Sequence, residues 1–144
     1  MKALLSLILI LTMSKGCDEE KVQNNIKSVE YSATSRGTNF NIKVNSKTIE
    51  LRESIDSKTK KMAITQDNWK EITAMVSKID IKNIQNIKAP STAHQYDGAA
   101  LANLTVKTND TMYSSVTFDH GNPPTEFKAV VDKLISISKS KSEK

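Results

Sequence analysis

From Val29 onward, apolar and polar positions alternate with a period of two. Val29, Tyr31 and Ala33 alternate with Glu30, Ser32 and Thr34; Phe40, Ile42 and Val44 alternate with Asn39, Asn41 and Lys43. Successive side chains of a strand point to opposite faces, so each run predicts a half-buried strand. The four-residue link Ser35-Arg36-Gly37-Thr38 makes the pair a hairpin. Asn45-Ser46-Lys47 is a second turn, and Thr48 to Glu53 is a third strand with Ile49 and Leu51 on one face. Residues 54–61 are polar and predict a mobile connection.

Past Thr65 the period lengthens to that of a helix. Trp69, Ile72, Val76 and Ile79, with Met75 beside them, form one apolar stripe. Thr65 is the expected N-cap, and Ile64 and Trp69 occupy the two positions of a hydrophobic staple. A lone tryptophan on such a stripe is read as core. Ile81, Ile84 and Ile87 predict an irregular or short helical turn closed by Ala89-Pro90.

Alternation then returns. Ala100, Ala102, Leu104 and Val106 face one way, while Asn103, Thr105 and Lys107 face the other. Asn109-Asp110 turns the chain. Thr111 to Phe118 returns, with Met112, Val116 and Phe118 expected on one face and Tyr113, Ser115 and Thr117 on the other. Asn122 is read as the cap of a last helix with Pro123 in its first turn, and Phe127, Val130, Val131, Leu134 and Ile137 form its buried stripe. The order β-β-β-α-β-β-α predicts an α+β fold: an antiparallel sheet of about five strands with two helices packed on one face. Residues 29–138 are assigned to this single domain and 139–144 to a disordered tail.

The N-terminus follows another logic. Lys2 precedes the eleven-residue apolar run Ala3 to Met13. A bilayer span needs about twenty apolar residues and a signal-peptide core roughly seven to fifteen, so residues 1–16 read as an export signal. The chain's single cysteine, Cys17, follows Gly16 at the expected cleavage point. It has no partner for an internal disulfide, and its position behind the apolar run marks it as an acylation site. Asp18, Glu19 and Glu20 come next, within a polar, flexible tether spanning 17–28.

Ser14-Lys15-Gly16-Cys17 resembles a bacterial lipobox at Gly16 and Cys17, although the family pattern has an aliphatic and a small residue where Ser14 and Lys15 stand. The resemblance implies a diacylglycerol and an amide-linked chain on Cys17. At about 0.8 kcal/mol per buried methylene, several chains hold a protein to a membrane where one does not. The acidic cluster Asp18-Glu19-Glu20 looks like the signal that places some lipoproteins on the outer face of the outer membrane. The expected location is therefore the outer membrane, lipid-anchored, with a periplasm-facing orientation as the alternative. Tyr31 to Gly37, Asn68-Trp69, Tyr96 to Ala99 and Phe118 to Pro124 together resemble a group of small, uncharacterised bacterial lipoproteins, a likeness that carries no activity. The layout is also similar to several small exported inhibitor domains.

Charge narrows the partners. The formal charge of +5 becomes +3 once Lys2 and Lys15 leave with the signal, and the arginines are two, Arg36 and Arg52. Without a cluster of planar guanidinium forks or an RNA-binding aromatic motif, nucleic acid is not an expected partner. The two histidines, His94 and His120, each lie in a loop beside an aspartate, Asp97 and Asp119. If they converge, these residues with Tyr96 would suit a divalent metal or a general base, but neither loop has a recognised ligand spacing. No cofactor is expected, and no serine sits on a nucleophile elbow. Three readings remain: a non-catalytic binding module, with inhibition of an exported enzyme as one form of it, that meets a protein through Arg36, His94, Tyr96, Asp97, Asp119 and His120; a metal-dependent enzyme or metal-binding protein using His94 and His120; and a structural or accessory component of an envelope assembly.

Overall fold

The structure, a computed structural model, describes residues 25–142. The expected export signal (1–16), Cys17 and the cluster Asp18, Glu19 and Glu20 lie outside the described residues. Strands β1 (Ile26–Thr34), β2 (Asn39–Asn45), β3 (Thr48–Arg52) and β4 (Lys60–Ala63) precede helix α1 (Gln66–Ser77). Two 3₁₀ helices, Ile81–Asn86 and Ala93–Tyr96, lead to β5 (Leu101–Thr108), β6 (Met112–Ser114), β7 (Phe118–Asp119) and helix α2 (Lys128–Ser142). The sheet is antiparallel, in the order β4-β3-β2-β1-β5-β6, with β7 also on β5. The fold is α+β, with seven strands where the sequence pattern predicted about five.

The predicted alternation is realised across the centre of the sheet. Tyr31, Ala33, Ile42, Val44, Leu51, Ala102, Leu104 and Val106 are fully buried. Ser32, Asn41, Lys43, Glu50, Asn103 and Thr105, on the opposite face, remain partly accessible. Both helices cover the apolar face, α1 through Ile72 and Val76 and α2 through Val130, Val131, Leu134 and Ile137. Burying each such side chain contributes about 1.5–3 kcal/mol, so this layer is the main source of stability. Thr65 caps α1 as expected, accepting a hydrogen bond from Asn68 N–H at 3.3 Å. Ile64 is buried and Trp69 packs against the core.

Several boundaries move. β1 begins at Ile26, so the last three residues of the expected 17–28 tether belong to the sheet, with Ile26 in the core. Lys60–Ala63 forms an edge strand on β3, within and just past the segment read as a mobile connection. With Met62 its one side chain packed against the core, this strand has no apolar stripe to announce it; main-chain pairing with β3 defines it, and its lysines discourage further strands. α2 extends through Lys139 and Lys141 to Ser142, so most of the expected 139–144 tail is helical; these lysines complement the negative end of the helix dipole. The same helix starts at Lys128, later than the Asn122 cap predicted. Each proline disfavours helical backbone at the residue before it, so consecutive Pro123 and Pro124 keep the lead-in out of the helix, and residues 125–127 enter it through a turn.

The returning strand is also interrupted. Thr105 pairs with Ser114 and Ala102 with Phe118, leaving one more residue on the returning side than on β5. That bulge inverts the predicted faces of its first half: Met112 is exposed and Tyr113 packs against the core, while Phe118 is fully buried as expected. Ser115 fills the break, its Oγ accepting Leu104 N–H at 3.0 Å and donating to Val116 C=O at 2.8 Å.

Candidate functional site

β7 brings the predicted loops together. His120 N–H donates to Ala100 C=O at 2.9 Å, just beyond the pairing of Asp119 with Leu101, and this holds the 119–124 segment beside the start of β5. Successive residues here point to opposite sides. Asp119 turns toward residues 91–94, and His120 turns toward Tyr31.

Asp119 is a structural anchor with a 5% exposed side chain. Its carboxylate accepts four hydrogen bonds: from Ser91 Oγ at 2.5 Å, Ala93 N at 2.9 Å, His94 N at 2.7 Å and His94 Nδ1 at 2.6 Å. The Ser91 hydroxyl, followed by the His94 and Ala93 donors, holds this carboxyl well below the usual carboxylate range, against burial, which acts the other way. An ionised carboxylate only accepts, so His94 Nδ1 carries the proton of the 2.6 Å bond. Asn122 extends the network, donating to Ser91 Oγ at 2.7 Å. The anchored turn ends at Asp97 in left-handed conformation, φ 57°, with Gly98 N–H on Ala93 C=O at 2.9 Å. A Cβ at Gly98 would stand 3.2 Å from both Ala93 Cβ and its carbonyl oxygen, so the tight return favours glycine there.

His120 has a different partner. Tyr31, wholly buried in β1, sends its hydroxyl 2.6 Å from His120 Nδ1. Burial pushes the Tyr31 hydroxyl up to about 12, although a hydrogen bond from the Gly121 backbone pulls against that shift. The hydroxyl is therefore protonated at neutral pH. Among the described residues His120 Nδ1 is the one acceptor beside the buried hydroxyl, so the Tyr31 proton goes to it. Desolvation also lowers the His120 pKa, favouring the neutral ring. The resulting tautomer carries its hydrogen on Nε2. Tyr31 and Phe40 flank the imidazole, with ring centroids 5.9 and 6.3 Å away. Gly121, at φ 88°, supplies the left-handed position of the turn that Asn122 N–H closes on Asp119 C=O at 2.9 Å.

Above these supports lies an open cleft of about 860 Å³, walled by Thr34 to Arg36, Thr38, Asp97 to Leu101 and His120. Thr38 and His120 also border a second depression of about 480 Å³ that reaches Phe40, Ile135 and Lys139. Of the predicted site residues, the cleft therefore gathers Arg36, Asp97 and His120. His94 and Asp119 stand behind it as framework, and Tyr96 projects from the neighbouring turn, 82% exposed. The histidines do not share a site: each is held by a different partner, and His94 pairs with Asp119 instead of the neighbouring Asp97. Among the described residues, no group of three or more His, Cys, Asp or Glu side chains is placed to hold a metal ion. Among them, too, no helix is long and apolar enough to cross a membrane.

The sequence offered no sign of Tyr31 or Ser91 as site supports. Tyr31 reads as one member of a core stripe and Ser91 as an ordinary loop residue; their roles arise from contacts spanning 89 and 28 positions. No family model, curated protein or solved structure matches the chain.

Proposed function

We propose that the chain is a lipid-anchored lipoprotein of the bacterial outer membrane whose domain is a non-catalytic binding module for a protein partner. The observation that carries the reading is the convergence of loops 34–38 and 97–101 with His120 on one open cleft, with exposed Tyr96 beside it. Loops held on a rigid sheet suit recognition, and tyrosine supplies a large contact area at small entropic cost. Acyl chains on Cys17 would hold the domain at the membrane, and Asp18, Glu19 and Glu20 would direct it to the outer face. A partner that is an exported enzyme would make the module an inhibitor.

The test has two parts. Cys17→Ser should release the chain from the membrane fraction and abolish acyl labelling. Wild-type protein, purified from gently solubilised envelopes, should carry one specific partner, and Tyr96→Ala should weaken its retention by about ten-fold, as expected for a truncated interface anchor, with the thermal midpoint unchanged. Membrane retention of acyl-labelled Cys17→Ser would overturn the anchoring claim. A partner retained equally by Tyr96→Ala would move the interface elsewhere, and absence of any partner would overturn the binding-module reading.

A further inference from the structure

The cleft has an unusual charge balance, and its polar groups are poised for a ligand. Arg36 stands on the four-residue turn between β1 and β2, where Ser35 N–H donates to Thr38 C=O at 2.9 Å and Thr38 N–H donates back at 3.3 Å. The turn is closed by its own backbone, so the guanidinium is not needed to hold it. Among the described residues, that guanidinium has neither an ion-pair nor a hydrogen-bond partner, and the same is true of the Asp97 carboxylate across the cleft. The Tyr31-directed tautomer gives the third polar wall, His120, a free Nε2–H donor.

These groups select a ligand class. One guanidinium offers a planar fork matched to a carboxylate. A neutral imidazole N–H adds a donor without adding charge. The unpaired Asp97 carboxylate opposes a dianion such as phosphate, yet it can accept an N–H lying next to a carboxylate in a peptide. A single carboxylate flanked by peptide N–H groups fits all three walls, whereas a polyanion meets Arg36 and His120 but sets a larger negative charge against the Asp97 carboxylate.

Building on the binding-module reading, we infer that the cleft is a carboxylate-binding site in which Arg36 receives an acidic side chain or a C-terminus presented by the partner, beside His120 Nε2–H. Arg36 anchors the charge, His120 adds directionality, and Asp97 faces the adjoining N–H of the bound segment. Tyr31 and Asp119 are positioning residues. Tyr31 fixes the tautomer of His120, and Asp119 fixes the turn that carries Asp97.

The test is an NMR titration of the full mature chain as Cys17→Ser with three blocked tripeptides. Acetyl-Gly-Glu-Gly-amide carries only a side-chain carboxylate, acetyl-Gly-Gly-Gly with a free C-terminus only a terminal one, and acetyl-Gly-Gln-Gly-amide neither. At least one carboxylate peptide should saturably shift the Gly37 and Gly98 amides and the His120 ring; the tighter of the two identifies the source. Arg36→Gln should weaken that binding by about ten-fold, the loss of one charge-assisted hydrogen-bonding group, and Arg36→Lys should restore only part of it. Equal shifts with the Gln peptide, no shift with any peptide, or indifference to Arg36→Gln would overturn the inference. A partner captured equally by wild type and Arg36→Gln would overturn it as well while leaving the binding module standing. Carboxylate binding without any captured partner would do the reverse.

Discussion

Asp119 and His120 are neighbours in the chain with opposite roles. Asp119 is nearly inaccessible and spends its whole carboxylate on protein donors, four bonds that organise residues 91–94. His120 makes one side-chain hydrogen bond, to Tyr31, and lines the cleft with the rest of its ring. Strand alternation separates them, turning one residue toward framework and the next toward the site. Residue type therefore does not assign function here: His94, chemically identical to His120, belongs to the framework because its Nδ1 is taken by Asp119.

Removing the framework member should have the largest effect. Asp119→Ala removes a buried carboxylate and with it four part-buried hydrogen bonds from Ser91, Ala93 and His94 together, which destabilises the fold. This variant should show the greatest drop in thermal midpoint of those considered, with the Ala93 and His94 amides losing protection in hydrogen exchange. Equal protection in the variant would show that the turn holds itself.

Tyr31→Phe keeps the buried ring and deletes only the hydroxyl bonded to His120 Nδ1. It should cost about 1 kcal/mol of stability in urea unfolding, the usual net value of one hydrogen bond. A smaller signal is expected from pH. The folded pKa of His120 lies below its ordinary 6.5, so the unfolded chain takes up the proton first. Its contribution is complete above 6.5 and is lost as pH falls through the folded value. Arg36, Asp97, Glu53 and Lys139 border the same two depressions and are the charged groups facing it. His120→Gln should flatten that slope in pH-dependent melting. Asp119, whose carboxyl is also depressed, contributes a separate loss only as pH falls below the ordinary carboxylate value of 3.8. Arg36→Gln should change stability least, by under about 0.5 kcal/mol as for a surface substitution without special contacts. A larger change would assign Arg36 to the framework.

The sequence made the layers legible because burial leaves periodicity behind. The 29–33 and 40–44 alternations, the Trp69-to-Ile79 stripe and the Phe127-to-Ile137 stripe all occupy the core face they predicted. It was less informative where structure rests on backbone pairing or on a local exception. The Lys60–Ala63 edge strand has no apolar stripe, and the Ser115 bulge silently reverses a two-residue period. The site was legible in its members and not in its pairings. Arg36, Asp97 and His120, three of the loop residues singled out, border one cleft, but proximity along the chain pointed His94 to Asp97 when its partner is Asp119. Only tertiary contact decides which aspartate a histidine meets.

Site-specific photo-crosslinking in intact envelopes tests the central claim most directly. A photoreactive residue at Gln95, on the exposed turn beside the cleft, is compared with one at Lys70, exposed on α1 at the helical layer. The account predicts a discrete crosslinked partner from Gln95 and none from Lys70. Crosslinking from Lys70 alone, or from neither position, would contradict it.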